Sequence, residues 1–241
     1  MSYGVRLEVW GDYASFNRPE MKVERVSYEV MTPSAARGIL EAIYWKPQMR
    51  WVVDRIHVLA PIRFTQIRRN ELDQKIPARN VETAMKKKQG ALEIFVEEHR
   101  QQRAARILKD VRYGIEARLE VVCPTEKNGQ VLDHPEAKHL DTFKRRAAKG
   151  QYFHHPYLGC REFPAHFRLL EDHEEFPRCP PELQGEINLG YVLWDIEFVQ
   201  EPSGTVVESN MGNRLSSHAR FFQVTMRDGV IEIPPLALTR G

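Results

Sequence analysis

The chain has 241 residues, enough for one large domain or two small ones with a buried core, and its 35 Lys+Arg against 33 Asp+Glu leave a net charge of +2. No apolar run approaches the roughly 18 residues of a membrane-spanning helix, and Arg6, Glu8 and Asp12 interrupt the start of the chain where a secretory signal needs an apolar stretch. Cys123, Cys160 and Cys179 are odd in number, widely spaced and free of any Cys-x-x-Cys. They argue against a disulfide framework or a zinc knuckle, so reduced thiols in a cytoplasm are expected.

Val5, Leu7 and Val9 alternate with Arg6 and Glu8, which predicts a half-buried first strand. Thr32-Pro33-Ser34 opens a helix with a hydroxyl cap and a proline in its first turn. Ala36, Ile39, Leu40 and Ile43 form its apolar face, Pro47 ends it, and Tyr44 falls in the last turn. Residues 51–53 and 56–60 read as a following strand and 62–67 as another. Residues 71–95, with Lys86, Lys87, Lys88 and Gly90, read as a polar, mobile loop.

Between Arg100 and Val122 two periods compete. Arg100, Arg103, Arg106, Lys109 and Arg112 recur every three residues, as on one side of a helix. Ile115, Ala117, Leu119 and Val121 alternate with charged residues, as on a strand. Two strands joined near Asp110–Gly114 is the preferred reading. Residues 135–149 predict a helix with proline in its first turn and Gly150 at its stop, burying Ala137, Leu140, Phe143 and Ala147. The last third reads as strands: Ile187, Leu189, Tyr191 and Leu193 alternate, and Asp228-Gly229 turns a hairpin. The order strand, helix, strands, helix and strand-only tail suggests an α+β fold, with a ferredoxin-like (RRM-type) N-terminal domain over residues 1–168 and a small antiparallel β-sheet domain over 169–241.

Charge is unevenly spread. Residues 1–150 hold 28 Lys+Arg against 20 Asp+Glu, or +8, while residues 151–241 hold 7 against 13, or −6. A polyanion is expected on the first part. The acidic run Glu171-Asp-His-Glu-Glu175 reads as solvated surface that also repels nucleic acid. His134, His154 and His155 have no carboxylate or thiolate at ligand spacing, so neither a metal nor a cofactor is expected. Cys160 reads as a small buried residue. Gln151-Tyr-Phe-His-His-Pro156 reads equally as an RNA clasp or as a turn with core aromatics.

Taken alone, Tyr44 reads as a packing residue and Lys138 and His139 as exposed helix residues; taken together, Tyr44, Lys138 and His139 are candidate catalytic residues. Such a set can cut RNA without a metal: a base takes the 2′-hydroxyl proton, a cation steadies the crowded phosphate, and an acid protonates the leaving 5′-oxygen. Lys138 and His139 fall at the start of their helix, where free backbone N–H groups and the positive dipole end favour a phosphate and a neutral imidazole.

Several words occur in order over roughly residues 3–167: Gly11-Asp-Tyr-Ala14, Ile43-Tyr-Trp-Lys-Pro47, Val52-Val-Asp54, Leu108-Lys-Asp-Val-Arg-Tyr113, Lys138-His139 and Tyr157-Leu-Gly-Cys-Arg-Glu-Phe163. Together they resemble the repeat-processing endoribonucleases of type I-C CRISPR systems, the d (Dvulg) subtype of the Cas-five family. The resemblance implies a ferredoxin-like domain and binding of the CRISPR repeat hairpin. It also implies cleavage at the hairpin's 3′ base and retention in the interference complex with its other subunits. It assigns Tyr44, Lys138 and His139 as the functional trio, without distributing acid and base between Tyr44 and His139. Arg100, Arg103, Arg106, Arg112 and the Lys86–Lys88 stretch are candidate phosphate contacts. The rival expectation is a non-catalytic subunit that only grips the 5′ handle of the guide RNA, as in other branches of the family.

Overall fold

The computed structural model describes residues 4–21, 23–88, 92–125, 131, 133–199, 206–208 and 214–240. The fold is mixed α/β and is dominated by one large antiparallel sheet. The first strand, β1 (Gly4–Ala14), is followed by the short β2 (Arg25–Val26) and helix α1 (Pro33–Ile43). Thr32 caps α1 by accepting from the Ala35 N–H at 3.3 Å, and proline occupies its first turn. Strands β3 (Met49–Val58) and β4 (Phe64–Leu72) come next, then α2 (Ala78–Lys87) and the single-turn α3 (Val96–His99). Strand β5 (Arg100–Val121), helix α4 (Pro135–Ala148) and strand β6 (His166–Leu169) complete the first two-thirds. Strands β7 (Glu186–Val199), β8 (Val206–Glu208), β9 (Arg214–Arg227) and β10 (Val230–Glu232) complete the chain.

Strands β6, β1, β5 and β3 lie side by side in that order, each antiparallel to its neighbour. Helices α1 and α4 touch each other; α1 packs on β3, and α4 on β5 and β6. Trp51 of β3, paired with Leu119 of β5, meets Phe143 of α4 edge-on at 4.7 Å. The helix layer therefore covers the sheet face that carries the odd-numbered side chains of β5. That face is the core, built from Leu7, Val9, Ile39, Ile43, Ile56, Ile115 and Phe143 among others.

Several expectations change. The segment 100–122 is a single strand of 22 residues rather than two strands joined at 110–114. It changes partner along its length: β4 pairs with residues 100–108 and β3 with residues 113–121, while β1 runs along the other side. Asp110 takes a positive φ of 52° without breaking the strand. The stretch 71–95 is not a loop throughout, since β4 reaches Leu72 and α2 follows; Gly90 lies outside the described residues. The C-terminal strands do not form a separate appended sheet. Ile231 of β10 pairs with Ile56 of β3, so β10, β9 and β7 extend the first sheet. The hairpin is as expected, with Asp228 (φ 48°) and Gly229 (φ 77°) giving the twist of a two-residue turn between β9 and β10.

The acidic run is exposed at Glu171, Asp172, His173 and Glu175, as expected of a solvated surface, and is tied down at a few points. Arg168 contacts Glu174 at 2.6 Å, Arg6 donates to the Glu171 and Asp172 carbonyls, and Lys144 lies 3.8 Å from Asp172. Phe176 then lies flat where a side chain at Gly114 would otherwise stand, beside His57 at 4.5 Å between ring centres. The segment after β6 thus covers part of the sheet face opposite the helices.

Candidate active site

Tyr44 ends α1 in an extended conformation (φ −157°, ψ 125°), its N–H still bonded to the Leu40 carbonyl at 3.0 Å. The indole N–H of Trp51 donates to the Tyr44 carbonyl at 3.0 Å, which fixes the turn out of the helix. From there the Tyr44 ring runs along α4. Its hydroxyl lies 2.8 Å from Nδ1 of His139, 95 residues away in sequence. Both side chains are buried, Tyr44 at 5% and His139 at 4% exposure.

His139, Thr142 and Arg146 fall at i, i+3 and i+7 and so share one stripe of α4. The Arg146 guanidinium stands 5.2 Å from the centre of the Tyr44 ring and donates to the Ile43 carbonyl at 3.3 Å. The Thr142 hydroxyl reaches the Lys138 carbonyl at 2.8 Å and also lies within hydrogen-bonding reach of the Tyr44 phenol. Lys138 is exposed, and its charge acts on the same phenol. The trio predicted from sequence is thereby brought together.

Burial raises the Tyr44 pKa above its ordinary value; the charges of Arg146 and Lys138 and the bond from Thr142 oppose that shift without cancelling it. The phenol therefore keeps its proton and can donate it to His139 Nδ1. A neutral imidazole in that bond carries its own proton on Nε2. Such a pair can pass a proton, with a cation beside it.

Two expectations about α4 differ. His139 is on the buried face with Phe143 and Ala147, while Ala137 and Leu140 are only half-buried. Thr142 and Arg146 were not singled out from the sequence, although their spacing from His139 was a usable signal. The candidate phosphate contacts are not gathered at this site. Arg100, Arg106 and Arg112 project from the β5 face opposite the helices, and Arg103 from the other side of the strand, because residues three apart alternate on a strand. Arg106 lies over the Phe64 ring at 3.9 Å, and Arg103 sits 3.9 Å from Glu71. Arg112 is committed to the buried carboxylate of Glu8, which also holds Arg168 at 3.0 Å. Lys86 and Lys87 end α2, and Lys88 follows in a left-handed conformation; all three are exposed.

Gly150 (φ 64°) ends α4, and residues 151–155 then cross the end of α1, where the N–H groups of Phe153 and His154 donate to the Ala42 carbonyl at 2.8 and 3.3 Å. Tyr152 and Phe153 are exposed, so they are not core aromatics. Cys160 is buried and accepts from Asn17 at 3.3 Å, as a structural thiol would. Among the described residues no three His, Cys, Asp or Glu side chains group as a metal site, and no helix is long and apolar enough to cross a membrane.

Residues 4–234 match the family model described as CRISPR-associated protein (Cas_Cas5), in its Cas5d form. A Mannheimia succiniciproducens protein named CRISPR pre-crRNA endoribonuclease Cas5d is 49% identical over 237 residues, covering 98% of this chain and 96% of that one. A Thermus thermophilus protein of the same name is 41% identical over 241 residues, covering 95% and 91%. Among solved structures, a functionally uncharacterized Streptococcus mutans protein aligns with a TM-score of 0.63 at 20% identity. A CRISPR-associated protein aligns at 0.61 and 22% identity; each alignment covers 100% of this chain and 96% of the other. These two structures speak for the fold alone. With a family match over nearly its whole length and two relatives above 40% identity, this chain belongs to the Cas5d family of CRISPR-associated proteins.

Proposed function

We propose that this protein is a metal-independent endoribonuclease that binds the hairpin of CRISPR repeat RNA and cuts the precursor by attack of a ribose 2′-hydroxyl on the adjacent phosphate. The activity named for its two relatives supports this reading. The observation that carries it is the buried Tyr44–His139 bond of 2.8 Å with the Lys138 charge acting on the same phenol. As the 2′-oxygen attacks phosphorus, its proton passes to the Tyr44 oxygen while the phenol proton moves to His139 Nδ1. Lys138 steadies the pentacoordinate phosphate. The imidazolium gives its Nε2 proton to the leaving 5′-oxygen and is left neutral with a proton on Nδ1; exchange with solvent then restores the starting tautomer. The products are a 2′,3′-cyclic phosphate and a 5′-hydroxyl.

The strand order β6-β1-β5-β3, all antiparallel, with α1 and α4 together on one face, supports reading the first part as ferredoxin-like. Residues 1–168 would then hold the RNA-binding and catalytic part, and residues 169–241 its β-rich extension. A cytoplasmic location and a place in the type I-C interference complex, on the 5′ handle of the guide, complete the proposal.

One observation favours the rival reading, a non-catalytic grip on the handle. With both rings buried, Tyr44–His139 would also serve as an interior hydrogen bond. Catalysis requires RNA to open that packing before the 2′-hydroxyl meets the pair. The protein's own repeat RNA, incubated with chelator under single-turnover conditions, separates the two. A nuclease cuts, and Tyr44→Phe, Lys138→Ala and His139→Ala each slow cutting by about 10²–10⁴ while hairpin affinity stays within a few-fold. Near wild-type rates in all three variants, a strict need for Mg²⁺, or binding without any cutting overturns the proposal.

A further inference from the structure

Two large rings are left in solvent beside the buried pair. Trp45 directly follows Tyr44; the extended backbone at Tyr44 sends that side chain inward and its neighbour outward, leaving Trp45 50% exposed. Phe153 is 82% exposed, yet its backbone is fixed, because its N–H donates to the Ala42 carbonyl of α1. Both rings are thus carried on backbone that meets at the C-terminal end of α1, within three residues of the candidate catalytic tyrosine. An aromatic ring held out in water by an ordered backbone loses the burial that usually places such rings inside.

The surroundings narrow what would cover them. Lys46, Arg145 and Lys149 are exposed at the adjoining C-terminal ends of α1 and α4, Lys138 is exposed in the first turn of α4, and Arg146 lies beneath on the Tyr44 ring. Cations interleaved with open aromatic faces suit unpaired nucleotides, with bases stacking on the rings and phosphates meeting the charges. A protein partner would be expected to meet a more apolar patch with charge kept at its rim.

We infer that Trp45 and Phe153 form a base-stacking subsite that takes splayed, unpaired nucleotides flanking the scissile phosphate of the RNA. This rests on the endoribonuclease reading and gives it a positioning device. Stacking the flanking bases pulls the strand out of helical geometry and lets the 2′-oxygen, phosphorus and 5′-oxygen come into line. The rings touch bases and not the reacting atoms, so they are positioning residues.

The test uses the full-length protein and repeat RNA blocked by a 2′-deoxy nucleotide just 5′ of the scissile phosphate. A second RNA is made abasic at the nucleotides on either side of that phosphate. Phe153→Ala and Trp45→Ala should each weaken binding of the intact RNA by about 5- to 150-fold, the loss of one base–aromatic stack. Phe153→Tyr and Trp45→Phe should restore most of it. On abasic RNA the alanine variants should bind like wild type. Unchanged affinity for intact RNA in both alanine variants overturns the inference and leaves the rings to a protein subunit. An equal loss on intact and abasic RNA also overturns it. The blocked RNA cannot be cut, so an error in assigning Tyr44, Lys138 and His139 leaves this readout intact.

Discussion

Tyr44 and His139 behave as one unit because each satisfies the other's buried polar atom. In the proposed mechanism removing either breaks the relay, so the Tyr44→Phe/His139→Ala double variant should cut no more slowly than the worse single variant; multiplied effects in single-turnover assays would mean that the two act separately. Burial keeps the Tyr44 phenol protonated. The variant Tyr44→Phe should therefore lower the pH–rate profile without reshaping it below about pH 10, the ordinary tyrosine value. A limb between pH 7 and 9 that vanishes in this variant would mean a phenolate base instead. The same physics acts on stability. Tyr28 and the fully buried Tyr113 are also pushed up by burial. A raised native pKa means that the native state binds these protons more tightly than the unfolded chain. That stabilisation is complete below about pH 10 and is lost as pH rises further. Absorbance titration should show Tyr28, Tyr44 and Tyr113 ionising only at the alkaline unfolding step; their ionisation in a reversible phase before unfolding would contradict their burial. Tyr44, Lys138 and His139 were named as candidates by words of a family. The burial of His139 was not legible, because a helical pattern puts polar residues outside, and its interior partner Tyr44 comes from a distant element.

Among elements, the segment 156–165 sets how the loop before it lies across α1. It closes on the end of β1 through the Ser15 N–H, which donates to the Leu158 carbonyl at 3.0 Å. Gly159 makes this approach possible: its φ is 84°, and a Cβ there would run into the Ser15 carbonyl oxygen. Gly150 has a similar φ of 64° with open space around it. Gly150→Ala should cost about 1–2 kcal/mol, the left-handed backbone alone. Gly159→Ala should cost clearly more, on the order of 3 kcal/mol, because strain and clash combine. Urea unfolding of the two variants checks this, and equal losses would mean that the segment yields to the added methyl. Legibility among the elements followed the physics of each. The helix α1 and the Asp228-Gly229 hairpin carry their cap and turn residues in sequence. Helix α2 buries no residue, so no apolar stripe announced it. Strand β5 was split on paper because its basic first half, exposed at 100, 102, 104 and 106, does not carry the apolar alternation of its second half.

At the scale of the molecule, local patterns indicated the element order but not that the tail strands would join the free edge of β3, since strand pairing across the chain leaves no short-range mark. The charge asymmetry of +8 and −6 was legible, and the fold gives it direction. The helix layer holds Tyr44 and His139 with the exposed Lys46, Arg145 and Lys149 nearby, whereas Arg100, Arg106 and Arg112 lie on the opposite sheet face. Arg112 already balances the buried Glu8, so its loss should reduce stability more than RNA affinity. The remaining cations can be sorted by salt dependence. Each lost phosphate contact should flatten the slope of log affinity against log salt by roughly one unit or less. Arg145→Ala/Lys149→Ala should flatten the slope and slow cleavage together, because these residues flank the chemistry. Arg103→Ala/Arg106→Ala should flatten the slope while leaving single-turnover cutting at saturating protein unchanged, if the hairpin stem reaches round to β5. Glu171→Gln/Glu175→Gln should do little, since those two exposed carboxylates carry the wrong sign for RNA. Fluorescence anisotropy at several salt concentrations reads all three. Unchanged slopes in both basic variants, with a large affinity change in the acidic one, would put the RNA on the side of the sheet that the acidic segment covers.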